Sequence, residues 1–228
     1  MTTIADNIAL VSSRIHAATA TAGRDENSVR LLAVSKTKPA EALREAYAAG
    51  LRDFGENYLQ EALGKQLELA DLPLIWHFIG PIQSNKTRSI AEHFAWVHSV
   101  DRLKIAQRLS EQRPADLPPL NVCIQVNVSG EASKSGCTPA DLPALARAIS
   151  ALPRLKLRGL MAIPEPTDDR AEQDAAFAAV RKLQADLDLP LDTLSMGMSH
   201  DLESAIAQGA TWVRIGTALF GARDYAQS

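Results

Sequence analysis

From Leu31 onward one pattern recurs eight times: a short run of aliphatic and β-branched residues, then a longer Ala- and Leu-rich stretch with helical spacing. LLAVS precedes PAEALREAYAAG, LRDFGE precedes NYLQEALGKQLELA, LIWHFIG precedes SNKTRSIAEHF, and AWVHSV precedes DRLKIAQRLSEQ. LNVCIQVNV, LKLRGLMAI, TLSMGM and TWVRIG continue the series, the last followed by a short tail. Runs such as LLAVS and VCIQVNV are apolar on both faces, which suits strands of a parallel sheet covered by helices. Eight such units predict an α/β fold closed as a (β/α)8 barrel of TIM type, for which ~250 residues is typical; this chain has 228. A doubly wound open sheet competes, but it wants a Gly-rich turn after the first strand, and LLAVSKTKP offers none.

Ahead of the repeats, Ile4, Ile8, Val11 and Ile15 fall at helical spacing, so residues 1–22 predict an extra helix packed on the body. With 46% hydrophobic residues the chain can bury one sizeable core, and no linker or low-complexity stretch divides it, so residues 1–228 are expected to form a single domain. The formal net charge of -3 provides no global basic field, so neither nucleic acid nor an anionic membrane is an expected partner. MTTIADNIALVSSRIHAATATAG lacks an uninterrupted apolar signal core, and a cytoplasmic location is expected. Cys123 and Cys137 are expected to be free thiols without a catalytic role. No histidines fall at H-x-H or H-E-x-x-H spacing, so no metal site is expected.

In a barrel of this kind the chemistry sits at the C-terminal strand ends. Those ends carry Lys36 and Lys38, Glu56 and Asn57, His77 and Gly80, His98, Asn127, Met161, Ser199 and His200, and Arg214, Gly216 and Thr217. An amine among strand ends loses solvation, which lowers its pKa and leaves it nucleophilic toward an aldehyde; a lysine keeping its head in water is the other use of position 36. Ser199, ahead of a helix opening at His200 or Asp201, and Gly216 and Thr217 follow strands 7 and 8, where such barrels commonly bind phosphate. Ser199 as a helix cap and Gly216 as a turn former are the structural alternatives. Arg214 shares the pleat face of Gly216 and points toward the mouth, or else pairs with a carboxylate such as Glu56. A lysine, a phosphate cradle and an arginine between them describe a pocket for a phosphorylated aromatic aldehyde.

AVSKTKP around Lys36, FGENYLQE at 54–61, WHFIGPIQSNK at 76–86, SMGMSHDLESAI at 195–206 and VRIGTALFG at 213–221 together resemble the pyridoxal phosphate homeostasis proteins. These are single-barrel proteins that bind pyridoxal 5'-phosphate (PLP) and are related to the N-terminal domain of alanine racemase. The resemblance implies a fold type III barrel without the second β domain. It implies that Lys36 holds the cofactor as a Schiff base, that Ser199, Gly216 and Thr217 hold its phosphate, and that Arg214 faces the pyridine nitrogen. An arginine there leaves that nitrogen unprotonated and the cofactor a weak electron sink. Asn57 either contacts the cofactor or caps a helix, and His77 either faces the ring or packs in the core. Gln83, Asn85 and Lys86 line the mouth or lie in solvent, and the loop at 129–136, with Lys134, is a lid or a connection. Lys38 takes part in exchange if the first strand persists that far, and sits in solvent if it does not.

The function expected is buffering or transfer of PLP, with apo PLP enzymes as transient recipients, by a monomer without turnover of its own. A PLP-dependent amino-acid racemase is the alternative, but racemisation needs two bases. Lys36 is one; Tyr47 and Tyr58 fall on predicted helices, and Tyr225 lies in the tail. A Schiff-base aldolase acting on a sugar phosphate would share the lysine and the phosphate cradle, yet would have no evident use for Arg214.

Overall fold

The computed structural model describes residues 2–132 and 134–222. It opens with α1 (Ile4–Thr21), whose first turn is closed by a capping box: Thr3 Oγ1 accepts from the Asp6 N–H and the Asp6 carboxylate accepts from the Thr3 N–H. The alternation predicted from the repeats follows: β1 (Arg30–Val34), α2 (Ala40–Ala48), β2 (Asp53–Glu56), α3 (Leu59–Glu68) and β3 (Ile75–Phe78). A single 3-10 turn at Ser84–Lys86 runs into α4 (Thr87–His93), then β4 (Trp96–Val100), α5 (Leu103–Gln112), β5 (Leu120–Gln125) and α6 (Leu142–Ser150). The chain continues through β6 (Leu155–Met161), α7 (Arg170–Ala185), β7 (Thr193–Ser195), α8 (Leu202–Ala207), β8 (Trp212–Ile215) and α9 (Thr217–Phe220). The acidic stretch before α7 starts that helix, with the Asp169 carboxylate accepting from the Ala171 and Glu172 N–H groups.

The eight strands are parallel and in chain order, and β8 closes on β1 with Arg30 beside Trp212 and Ala33 beside Ile215. Because side chains alternate along a strand, closure sorts them into two compartments. Ala33, Phe54, Phe78, Val97, Ile124, Leu160, Val213 and Ile215 face outward into the layer under the helices. Leu32, Trp96, Cys123, Met161 and Trp212 face inward and fill the barrel with Ile79 from the loop after β3. The inward set also includes His77, which is buried, stacks on Trp96 at 5.5 Å and meets Trp212 edge-on at 5.0 Å. Gly55 is small for the same reason: a Cβ there would lie 3.1 Å from Ile79 and 3.2 Å from Leu32. The interior is thus a packed core with a floor of aromatic rings, above which space opens at the C-terminal mouth.

The N-terminal helix lies against α8 and α9. Ile8, Val11 and Ile15 are buried and Ile4 packs partly, as their spacing predicts. No helix among the described residues is long and apolar enough to cross a membrane.

Candidate functional site

At the C-terminal mouth a cavity of 310 Å³ is lined by Lys36, Asn57, Ser199, Arg214, Gly216 and Thr217. That size lies at the lower end of the roughly 300–1,000 Å³ of small-molecule sites. Ile79, Ile163 and Met198 supply apolar walls, and a second lobe of 330 Å³ shares Asn57, Ile79 and Ile163 and reaches Lys134. A larger groove of 480 Å³ opens at the other end of the barrel, beside Phe94, Trp96 and Pro118. Its one guanidinium, Arg113, is already bonded to the carbonyls of Ala91, Phe94 and Pro118, so its donors are committed to the fold.

Lys36 stands two residues past the end of β1, on the same side as the inward-facing Val34, and is half-buried. The turn that carries it is clamped from α3. Thr37 adopts a left-handed backbone, φ 64°, and its N–H donates to Glu61 Oε1 at 2.6 Å. Glu61 pairs with Lys65 at 2.6 Å, and Lys65 Nζ also reaches Glu56 Oε1 at 2.8 Å and the Ser35 carbonyl at 2.7 Å. The reversal at Thr37 turns Lys38 away from Lys36. Its Nζ donates to the Ala222 carbonyl at 2.9 Å, and Lys38 does not line the cavity.

Arg214 is buried and donates to Ser195 Oγ at 2.8 Å and to the Ala162 carbonyl at 3.1 Å. Burial pushes its pKa down to about 10, which still leaves it charged at neutral pH. It makes no ion pair with Glu56. By strand parity Glu56 faces outward beneath α3, where burial raises its carboxyl pKa more than Lys65 and Ser35 lower it.

Ser199 makes no cap bond to α8, which begins at Leu202 after Asp201; the Asp201 carboxylate instead accepts from the Met198 N–H at 2.7 Å and shapes the turn. The Ser199 carbonyl accepts from Arg14 of α1 at 2.9 Å. Gly216, with φ -116°, is not in a backbone region that demands glycine, but a Cβ there would lie 3.3 Å from the Val34 carbonyl oxygen. Its smallness lets β8 close against β1. Thr217 opens α9, whose first N–H groups have no partner within the helix.

Asn57 does not cap α3, since Tyr58 precedes its first residue. Its Oδ1 is buried without a hydrogen-bond partner at the cavity wall. Such a group costs about 1–3 kcal/mol when left unpaired, which marks this wall as a place where a small rearrangement toward a hydrogen-bond donor is favourable.

Of the remaining candidates, His200 also lines the cavity and Lys134 its second lobe. His77 packs in the barrel floor. Gln83 precedes the 3-10 turn that contains Asn85 and Lys86, and none of the three lines either lobe. Lys134 lines the second lobe and pairs with Glu165 at 3.1 Å, while Ser133 in the same loop lies outside the described residues. Tyr47 is covered by Arg52, Tyr58 is exposed, and Tyr225 lies outside the described residues. Cys123 and Cys137 are buried free thiols whose pKa values burial pushes up to about 12 and about 11, which makes them inert. Among the described residues no group of three or more His, Cys, Asp or Glu could hold a metal ion.

Sequence reasoning missed two contributors. The apolar walls were overlooked because a strand-end isoleucine carries no chemical signal, although Ile163 follows the inward-facing Met161 at a spacing of two. Arg14 was missed because nothing in a helix predicts which loop lies beneath it.

Residues 5–224 match the family model described as alanine racemase, N-terminal domain. A pyridoxal phosphate homeostasis protein of Pseudomonas aeruginosa is 80% identical over 225 residues, covering 99% of this chain and 98% of that protein. PipY of Synechococcus elongatus, solved without PLP, superposes with a TM-score of 0.86 at 46% identity over 96% of this chain and 100% of its own. The same protein solved with PLP bound gives 0.81 at 46% identity, over 91% and 100%. An alanine racemase of Corynebacterium glutamicum shares the fold, with a TM-score of 0.66 at 18% identity over 96% of this chain and 62% of its own.

Proposed function

Since the chain belongs to the alanine racemase N-terminal domain family, among its pyridoxal phosphate homeostasis proteins, we propose that it holds PLP on Lys36 as a Schiff base and buffers the cofactor or passes it to apo enzymes. The observation that carries this reading is one cavity bordered by an amine, a buried guanidinium and the Ser199 and Gly216–Thr217 loops. The residues present fit the group. The ε-amine of Lys36 attacks the aldehyde carbon, a C=N bond forms and water leaves. Ser199, Thr217 and the first N–H groups of α9 would donate to the phosphate, Arg214 would donate to the ring nitrogen, and Asn57, whose Oδ1 lacks a donor, borders the same space. PLP, when bound, supplies an electron sink. Arg214 keeps its own proton and withholds one from the ring nitrogen, which weakens that sink.

The racemase reading is disfavoured because neither Tyr47 nor Tyr58 lines the cavity; besides Lys36 it holds one other side chain able to act as a base, His200, on the same wall as Ser199. We therefore propose binding without turnover, in the cytoplasm, by residues 1–228 acting as one domain. Barrel closure, which leaves no strand edge to pair, supports a monomer. Borohydride reduction of the PLP-loaded protein followed by peptide mapping tests the assignment. The pyridoxyl group is expected on Lys36, and recovery mainly on Lys134 or Lys86 would remove Lys36 from its role. Racemisation of alanine by the purified chain at an enzyme-like rate would overturn the non-catalytic reading.

A further inference from the structure

Beneath the cavity, five polar side chains run in a string through a barrel interior filled mainly with aliphatic and aromatic groups. Arg214 Nη1 donates to Ser195 Oγ at 2.8 Å, and Ser195 Oγ is 2.7 Å from His98 Nδ1. His98 Nε2 is 2.9 Å from His77 Nδ1, and His77 Nε2 is 2.8 Å from Asp53 Oδ1. Asp53 stands at the first position of β2, at the opposite end of the barrel, where Arg30 pairs with it at 3.3 Å. Ser195, His98 and His77 are buried on β7, β4 and β3, so the string crosses the lumen from strand to strand.

The two ends dictate every proton between them. A carboxylate only accepts, so His77 carries its proton on Nε2, and as a neutral imidazole it accepts at Nδ1. His98 must then donate from Nε2 and accept at Nδ1, which obliges the Ser195 hydroxyl to donate to it. Ser195 Oγ is left to accept from Arg214, a group that only donates. All four bonds point the same way. An extra proton on His77 would set its Nδ1–H against the Nε2–H of His98, and one on His98 would turn its Nδ1–H on the Ser195 hydroxyl that donates to it; burial depresses both imidazoles, which favours the neutral forms. Among the described residues Arg214 has no carboxylate in contact; Asp201 acts on its charge from a distance, and its hydrogen bonds go to this aligned string and to the Ala162 carbonyl.

We propose that Ser195, His98, His77 and Asp53 are positioning residues, a one-directional hydrogen-bonded string that fixes how Arg214 is presented to the cofactor ring. The contact between Arg214 and the ring rests on the function proposed above; the string itself does not. Nitrogen-15 NMR of the cofactor-free protein tests the string alone. His77 and His98 are expected as neutral Nε2–H tautomers at neutral pH, and Asp53→Asn, whose amide can donate as well as accept, should mix their tautomers. An Nδ1–H tautomer or an imidazolium at either position in the wild type would overturn the string.

PLP titration tests its consequence. Ser195→Ala and Asp53→Asn are each expected to weaken binding, Ser195→Ala by roughly tenfold or more, and to shift the visible band of the bound cofactor. Ser195→Thr, which keeps the hydroxyl, should recover that band. An unchanged band and affinity in both Ser195→Ala and Asp53→Asn would overturn the positioning role. A wild type that takes up no PLP would sink the function reading and with it the ring contact, while the tautomers would still decide the string.

Discussion

Lys65 is the residue on which the β1–α2 turn depends. It leaves α3, passes beneath the sheet and joins Glu56, Glu61 and the Ser35 carbonyl while almost wholly buried. Replacing a buried ion pair with apolar groups on both sides is often harmless, but removing one partner strands the other charge, at a cost of about 3–5 kcal/mol. Lys65→Met is therefore expected to lower the unfolding free energy by roughly that amount at pH 8. Glu56 already has its carboxyl pKa raised by burial. An acid raised in the folded state favours folding below its unfolded pKa and loses that contribution as pH rises through the folded value. The deficit of Lys65→Met should thus narrow toward pH 5, as paired denaturant titrations would reveal; a deficit independent of pH would mean that Glu56 is not the stranded charge. The same variant frees Glu61 from its cation and loosens the Thr37 turn beside Lys36.

Among the elements, α1 does more than cover the barrel. Arg14 grips Glu203 of α8 at 2.7 Å and the Ser199 carbonyl at 2.9 Å, so a helix outside the eight repeats braces one wall of the cavity. Both partners of that ion pair are more than a third exposed, so the pair contributes no more than about 0.2–1 kcal/mol to stability. Arg14→Ala should therefore leave Tm nearly unchanged yet weaken PLP binding several-fold through a looser Ser199 turn. Equal affinity of variant and wild type would reduce Arg14 to a surface contact. The presence of α1 was legible, because Ile4, Ile8, Val11 and Ile15 announce one buried face. The strands were legible through runs apolar on both sides. Their exact ends were not: β1 stops at Val34 because Thr37 turns left-handed under the pull of Glu61, and threonine carries no local signal for that conformation. Hence the sequence left Lys38 in doubt, whereas Lys36, Ser199, Arg214, Gly216 and Thr217 could be gathered from strand ends alone. The partners of Arg214 were hidden for another reason. Ser195 and His98 lie far apart in the chain and meet only once closure sets the levels of β4 and β7 inside the barrel.

For the molecule as a whole, a ligand that binds only the folded barrel must stabilise it. Free PLP at 100 times Kd adds about 2.7 kcal/mol, which for a chain of this size raises Tm by roughly 5–11 °C. Pyridoxal at the same concentration, lacking the phosphate, should raise it far less; equal shifts would remove the Ser199 and Gly216–Thr217 loops from recognition. Closure of the barrel also orders events in time. Arg30 to Ala33 find their second neighbour only in Trp212 to Ile215, and Lys36 meets Gly216 and Thr217 only across that seam. A ribosome making roughly 5–20 residues per second needs on the order of ten seconds or more to deliver the intervening chain. Throughout that interval β1 is an open edge and the binding site does not exist, so the nascent protein cannot recruit its vitamin to help it fold and must complete the ring first.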